Sequence, residues 1–289
     1  MRLRNDTSRK VRESLNIMMV DKSVYVVFAS KLAAIDLDTG DLIFETEIGA
    51  SIIDEIAAFT DKYIFVVQVS EGVYAYDRST GKPSWQILVG RGNVDVFPDT
   101  AHQLVYIIHG EYLKAVNEQD GSLAWQKQIG FHGPVEYYDG FIYYSNSDIK
   151  DGLENHLQAL SLETKKAHWD FDLNGEIKCI KATSDSIIAI TNQAIARLDR
   201  LSGEKIWGYY ISPDVYCPPV IMGDVIYLKD GSSNQFIAME QENGDLLGRL
   251  DFEDSGGFGY KISKDNLLSS TYPSPILVFY SKNSVYIYK

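Results

Sequence analysis

The stretch Ala75-Tyr76-Asp77-Arg78-Ser79-Thr80-Gly81-Lys82-Pro83-Ser84-Trp85 decides how this chain is read, because a version of it returns about every forty residues. With the turn glycine as ruler, the copies fall at Gly40, Gly81, Gly121, Lys165, Gly203 and Gly244, in steps of 41, 40, 44, 38 and 41 residues. Four positions beyond the ruler stand Phe44, Trp85, Trp125, Trp169, Trp207 and Gly248, so all four tryptophans of the chain share one register. Self-similarity at this period marks an array of small repeated sheets.

Each copy has the form of a β-hairpin. An apolar run ends in a turn rich in Asp, Thr, Ser and Gly, and a second run carrying the aromatic residue follows. The glycine suits a left-handed turn position, and the acidic and hydroxyl side chains suit the turn's own amides. Upstream of each hairpin lies a shorter, almost wholly apolar run, at 24–29, 63–69, 104–109, 141–145, 187–191 and 225–228. Continuous rather than alternating apolarity predicts a strand covered on both faces. A weaker strand and turn precede it, so each unit reads as four antiparallel strands.

Such a unit cannot bury both faces alone, and radial stacking into a β-propeller is the usual solution. A seventh apolar second strand at 276–280 and a third-strand candidate at 284–288 bring the expectation to an all-β, seven-bladed propeller of four-stranded antiparallel blades, one domain over 1–289. The aromatic residues Phe44, Trp85, Trp125, Trp169 and Trp207 are expected to wedge neighbouring blades together. The last blade lacks its outermost strand, and residues 1–13 are expected to supply it and close the ring, which leaves no exposed edge there. Arg2, Arg4, Arg9, Lys10 and Arg12 make a poor strand, so a solvated tail stays open as the alternative.

The phrase Ala-x-Asp-x-x-Thr-Gly-x-x-x-Trp, best kept in 75–85 and 115–125, resembles the repeat of the PQQ-like (quinoprotein alcohol dehydrogenase-like) β-propeller superfamily. That superfamily holds both quinone-dependent dehydrogenases and cofactor-free scaffold propellers. The resemblance runs from about Ser14 to Lys289. Three departures stand out: Lys165 for the turn glycine, Arg197 for the repeat alanine and Gly248 for the tryptophan. The phrase describes how blades pack, and a fold does not specify chemistry.

Net charge is −13. The first thirteen residues hold five basic and two acidic groups, so the remainder stands at about −16. Phosphate binding needs clustered Lys and Arg, so nucleic acid is not expected as a partner, whereas a basic protein partner suits this charge. No run reaches the length of a membrane span and no apolar signal segment follows the basic start, so a cytoplasmic location is expected. Cys179 and Cys217 are not spaced as a redox or metal pair and are expected to be buried free thiols.

The resemblance implies that a quinoprotein dehydrogenase would hold its quinone and calcium over a central channel. Such enzymes resemble longer, exported chains, often with adjacent cysteines, and neither feature is present. No helical zinc motif, nucleophile elbow or phosphate-cradling loop occurs either, and 148–154 lacks the alternate-ligand spacing of a calcium loop. The expectation is therefore a protein without cofactor, metal or catalytic residues. It acts as an interaction scaffold, in a specific version an immunity-type protein that neutralises a basic partner. A PQQ-dependent dehydrogenase and a carbohydrate-binding or lyase propeller are the alternatives.

In a propeller, the second-to-third-strand loops and the blade-to-blade loops share one rim and are free to vary. The first class offers His109, Glu111 and Tyr112, then Asp148, Asp151 and Glu154 in a long loop at 147–156. The second offers Arg91, Phe131, His132, Asp214 and Tyr216. Aromatic anchors ringed by charge make a protein-binding surface. For Phe131 and Tyr216, burial in the blade junctions is the competing expectation. The tyrosine pairs 137–138, 143–144 and 209–210 are expected to place one ring inward and the next outward.

Overall fold

The computed structural model describes residues 16–28, 30–49, 54–68, 71–90, 92–130, 132–148, 153–173, 175–210, 220–230, 235–251, 259–263, 276–280 and 285–288, and it contains only strands and turns among them. The first sheet runs β1 (Asn16–Val20), β2 (Ser23–Phe28), β3 (Lys31–Asp36) and β4 (Leu42–Glu47), and the second β5 (Asp54–Phe59), β6 (Tyr63–Gln68), β7 (Gly72–Asp77) and β8 (Pro83–Leu88). The third holds β9 (Val94–Asp99), β10 (Leu104–His109), β11 (Tyr112–Asn117) and β12 (Leu123–Gln128), and the fourth β13 (His132–Tyr138), β14 (Phe141–Asp148), β15 (Leu153–Ser161) and β16 (Lys166–Asp172). The fifth has β17 (Ile177–Ala182), β18 (Ser186–Thr191), β19 (Ala194–Asp199) and β20 (Lys205–Tyr210), and the sixth β21 (Val220–Met222), β22 (Val225–Asp230), β23 (Gln235–Glu240) and β24 (Leu246–Asp251). A last sheet shows three strands, β25 (Gly259–Ser263), β26 (Ile276–Tyr280) and β27 (Val285–Tyr288). In every sheet the strands lie side by side in chain order. Residues 1–13 lie outside the described residues.

The chain divides into two compact units, 1–109 with 114–125 and 110–113 with 126–289. In the first, Tyr25, Val27, Leu32 and Phe44 of the first sheet pack on Ile56, Ile64, Val66 and Tyr76 of the second. The second packs in turn on the third through Phe65, Val67 and Val73 against Val96, Val105 and Ile107. In the second unit, Tyr143, Leu157 and Ala159 meet Ile180, Ile187, Ala189 and Leu198, while Ile188, Ile190 and Trp207 meet Ile226, Leu228 and Met239. The second strands serve both neighbours, which is why their apolarity is continuous: every residue of β6 and of β18 is buried.

The forty-residue phrase has a pairing rule behind it. On the third and fourth strands Ala34 lies opposite Phe44, Ala75 opposite Trp85 and Ala159 opposite Trp169, with a register shift just after each pair. The small alanine leaves the indole room to lie over its sheet, 5.7 Å from the Phe65 ring in the second sheet and 5.8 Å from Tyr143 in the fourth. The indole N–H then reaches the next hairpin: Trp85 donates to the Glu118 carbonyl at 2.8 Å, Trp169 to Arg200 at 3.0 Å and Trp207 to Gln241 at 3.0 Å. Each acceptor stands three residues before the ruler of the following copy.

All six ruler residues take positive φ, from 58° at Lys165 to 77° at Gly244. The turn is held by the side chain four residues earlier. Asp77 Oδ1 accepts from the amides of Ser79 at 3.1 Å and Thr80 at 2.9 Å, and Asp199 Oδ1 accepts from those of Leu201 at 3.0 Å and Ser202 at 2.7 Å. The Ser79 hydroxyl, then that of Thr80, holds the Asp77 carboxyl below the ordinary range; the Ser202 amide does the same first for Asp199 and the Thr39 amide for Asp36. A folded pKa below the unfolded one gives stability that is complete above the unfolded value, about pH 4, and is lost as pH falls through the folded value. Urea midpoints at about pH 3 and pH 6 should therefore differ less in Asp77→Asn than in the parent chain, because Asn does not titrate there. An unchanged gap would show that this turn does not contribute to acid sensitivity.

Two expectations need correction. The segment 147–156 is less of a loop than its composition suggests, because β14 and β15 continue into it with Asn146 opposite His156 and Asp148 opposite Leu153. The tyrosine pairs do not alternate inward and outward. Tyr143 and Tyr144 are both buried, since a second strand is covered on both faces, and Tyr209 and Tyr210 are both exposed, since β20 is the outermost strand of its sheet.

Candidate functional site

At one end of the second, third, fourth and fifth sheets, the segment entering the sheet meets the end of its second strand. Gln68, closing β6, donates from Nε2 to the Ile48 carbonyl. A Cβ on Gly92 would lie 3.1 Å from His109 Nε2, and one on Gly130 would lie 2.9 Å from Asn146 Oδ1. The Glu176 amide donates to Asn192 Oδ1 at 3.1 Å. In these four sheets the segment entering the sheet and the end of the second strand therefore come together. Gln68, Asn146 and Asn192 went unread in the sequence, although a polar residue closing an apolar second strand was the available signal.

Of the rim candidates, His109 ends β10 beside Gly92. Glu111 is fixed twice: its carbonyl accepts from the Ile129 amide at 2.9 Å and its carboxylate from Gln128 Nε2 at 2.8 Å. Tyr112, next to it, is 44% exposed. Glu111 and Tyr112 form one acidic and aromatic corner on a turn held by these two hydrogen bonds. His132, Asp148 and Glu154 lie on β13, β14 and β15. Arg91, Phe131, Asp151, Asp214 and Tyr216 lie outside the described residues. Of the aromatic residues expected to pack between blades, Phe44 and Trp207 are buried and Trp85, Trp125 and Trp169 half-buried.

Near the rim of the fourth sheet, Tyr144 donates to Gln158 Oε1 at 2.7 Å, Gln158 donates to Asp170, and Asp170 meets His156 Nδ1. Burial pushes the Tyr144 hydroxyl up to about 12, so it stays protonated at neutral pH. Burial also pushes the Cys179 thiol to about 12, which leaves it a packing residue rather than a nucleophile. Among the described residues no group of three or more His, Cys, Asp or Glu is placed to hold a metal ion, and no helix is long and apolar enough to cross a membrane.

The opposite end of the fifth and sixth sheets carries a cleft of about 720 Å³. Its walls include the turn residues Thr183 and Asp185, Arg197 from β19, Asp224, and Glu240 and Glu242 from the last hairpin of the sixth sheet. Arg197 is 8% exposed. Its Nη1 donates to the carbonyls of Gln241 at 3.0 Å and Glu242 at 3.1 Å, and its Nη2 to Asp185 at 2.7 Å. Its Nε–H is buried without an acceptor among the described residues, a state that costs about 1–3 kcal/mol. Burial alone would raise the Asp185 carboxyl, yet the Thr183 hydroxyl and Arg197 together bring it below the ordinary carboxylate range. Among the described residues, Asp224, Glu240 and Glu242 pair with no cationic side chain.

Comparison with known proteins agrees with the repeat. Residues 46–136, which contain the copies at Gly81 and Gly121, match the family described as outer membrane protein assembly factor BamB. The crystal structure of BamB from Moraxella catarrhalis superposes with a TM-score of 0.66 at 17% identity, covering 92% of this chain and 81% of that one. KlHsv2 with loop 6CD replaced by a Gly-Ser linker gives 0.66 at 13% identity, over 95% and 92% of the two chains. The computationally designed Ika8 protein gives 0.56 at 11% identity, over 96% of each. No curated protein matches the sequence. At these identities the likeness concerns the fold: an all-β, propeller-type array of four-stranded antiparallel sheets with a PQQ-like repeat.

Proposed function

We propose that the chain is a non-catalytic protein-interaction scaffold that receives a basic partner on its acidic surface. In its full form the reading has seven blades closed into a ring, with residues 1–13 supplying the outer strand of the last one. Its specific version is an immunity-type protein that neutralises a basic toxin. The observation that carries the reading is the corner at Glu111 and Tyr112: an exposed ring beside a carboxylate, on a turn anchored by two hydrogen bonds. A rigid exposed aromatic with charge around it loses little entropy on binding and steers an oppositely charged partner. The net charge of −13 supports the sign of that partner. The family matched over 46–136 is described as an assembly factor, which accords with binding rather than bond chemistry.

The test is capture of candidate basic proteins by the immobilised full chain, in rising salt. Tyr112→Ala should weaken capture about thirtyfold, the loss typical of an interface anchor. Because Tyr112 is half-exposed, the melting temperature should stay within about 2 °C. A matched fall in melting temperature would make Tyr112 a packing residue. Dye-linked dehydrogenase activity appearing on addition of quinone and calcium would overturn the non-catalytic reading altogether.

A further inference from the structure

In five of the six copies the residue six before the ruler is alanine: Ala34, Ala75, Ala115, Ala159 and Ala238. In the fifth copy it is Arg197, opposite Trp207 on β20. Packing does not ask for an arginine there, since alanine meets the same pairing rule elsewhere. This arginine instead forms part of the wall of the cleft between the hairpin ends of the fifth and sixth sheets. Four of its lining residues are carboxylates, Asp185, Asp224, Glu240 and Glu242, against the single guanidinium of Arg197. Asp185 already neutralises that guanidinium at 2.7 Å, so among the described residues three carboxylates remain uncompensated.

The balance of charge selects a cation. An anion brought to Arg197 would face all four carboxylates, and three of the five N–H groups of the guanidinium are already engaged by the two carbonyls and Asp185. A metal ion is disfavoured, because no three acidic or histidine groups among the described residues stand close enough to ligate one. The unmatched Nε–H adds a second requirement, an acceptor oxygen near the positive charge. A peptide bearing lysine or arginine meets both needs, its side chain for the carboxylates and a main-chain carbonyl for Arg197. A polyamine meets only the first.

We propose that the cleft formed by Thr183, Asp185, Arg197, Asp224, Glu240 and Glu242 is a binding site for a lysine- or arginine-bearing segment of a protein partner. The inference rests on the reading that the partner is basic, and it locates that partner's charged segment at the end of the sheets opposite Tyr112. Arg197 is a specificity residue: it distinguishes a peptide from a bare polycation.

The experiment titrates a fluorescein-labelled, end-blocked peptide of alternating glycine and arginine into the full chain and follows anisotropy. The combined variant Asp224→Asn, Glu240→Gln, Glu242→Gln should bind at least about tenfold more weakly, each exposed pair contributing modestly, and salt should weaken the parent complex. Arg197→Ala, which restores the residue of the other copies and so should fold, should weaken the peptide several-fold without weakening spermine, so that less spermine displaces the peptide than from the parent. Tyr112→Ala should bind the peptide as the parent does. Equal binding by the triple variant and the parent, or no binding by the parent, overturns the proposal; spermine displacing the peptide equally well from parent and Arg197→Ala overturns the role of Arg197. Capture of a basic protein that depends on Tyr112 but not on the three carboxylates would sink the cleft and leave the scaffold reading standing. Peptide binding in the cleft, with no capture of any basic protein, would do the reverse.

Discussion

Trp207→Ala should lower the stability of the chain by about 3–5 kcal/mol, the range for removing a large buried aromatic side chain. The indole is 8% exposed, packs with Ile188, Ile226 and Met239, and ties the fifth sheet to the last hairpin of the sixth through the Gln241 carbonyl. Truncation leaves a cavity lined by two sheets, neither of which can close it without shifting the other. Trp207→Phe is the informative control. It keeps most of the buried ring and gives up only the N–H, and the Gln241 carbonyl would still accept from Arg197 at 3.0 Å. Phe44 fills the same place in the first copy. The phenylalanine variant should therefore cost only about 1 kcal/mol. Urea unfolding followed by circular dichroism measures both. A loss below about 1 kcal/mol for the alanine variant would mean that the indole contributes no more than a surface side chain.

How much of this was legible beforehand follows from what the repeat encodes. Local turn chemistry and the position of the aromatic staple recur at one spacing, so the strands, their order and the buried second strands could be read from the chain. What depends on a neighbouring strand could not. Gly72 has no positive φ, and only the structure shows that a Cβ there would collide with the backbone carbonyl of Ile87 on β8. The extension of β14 and β15 into 147–156 was hidden because Asn, Ser and Asp are poor strand formers whose pairing is imposed by the hairpin they continue.

The candidate site was less legible still. The corner at Glu111 and Tyr112 follows from loop position, but the anchoring of Glu111 by Gln128 depends on which residues the hairpin brings opposite. Arg197 could be noticed as a departure from the repeat alanine. Its meaning needed the sixth sheet, whose turn at Asp224 and hairpin at 240–242 supply both the carbonyls that hold it and the carboxylates around it.

The turn glycines carry the second large effect, and the protein contains its own control. Gly40 and Gly203 take nearly the same backbone conformation, φ 76° and 74°, at the same place in the same kind of hairpin. They differ in what stands above them. Among the described residues a Cβ on Gly40 would meet nothing within 4 Å, whereas one on Gly203 would lie 2.6 Å from Trp169 Cδ2 and 2.8 Å from Cγ. Gly40→Ala should therefore pay only for the left-handed conformation, about 1–2 kcal/mol. Gly203→Ala should add the cost of overpacking, about 1–3 kcal/mol, for a total near 3 kcal/mol or more. The ring cannot step aside cheaply, because its Nε1 donates to the Arg200 carbonyl of the same turn at 3.0 Å and its other side lies 5.8 Å from Tyr143. Combining Gly203→Ala with Trp169→Ala should relieve the clash, so the double variant should cost less than the sum of the two single ones. Strict additivity, or equal losses at Gly40 and Gly203, would show that the glycine at this register serves the turn alone and that the indole does not rest on it.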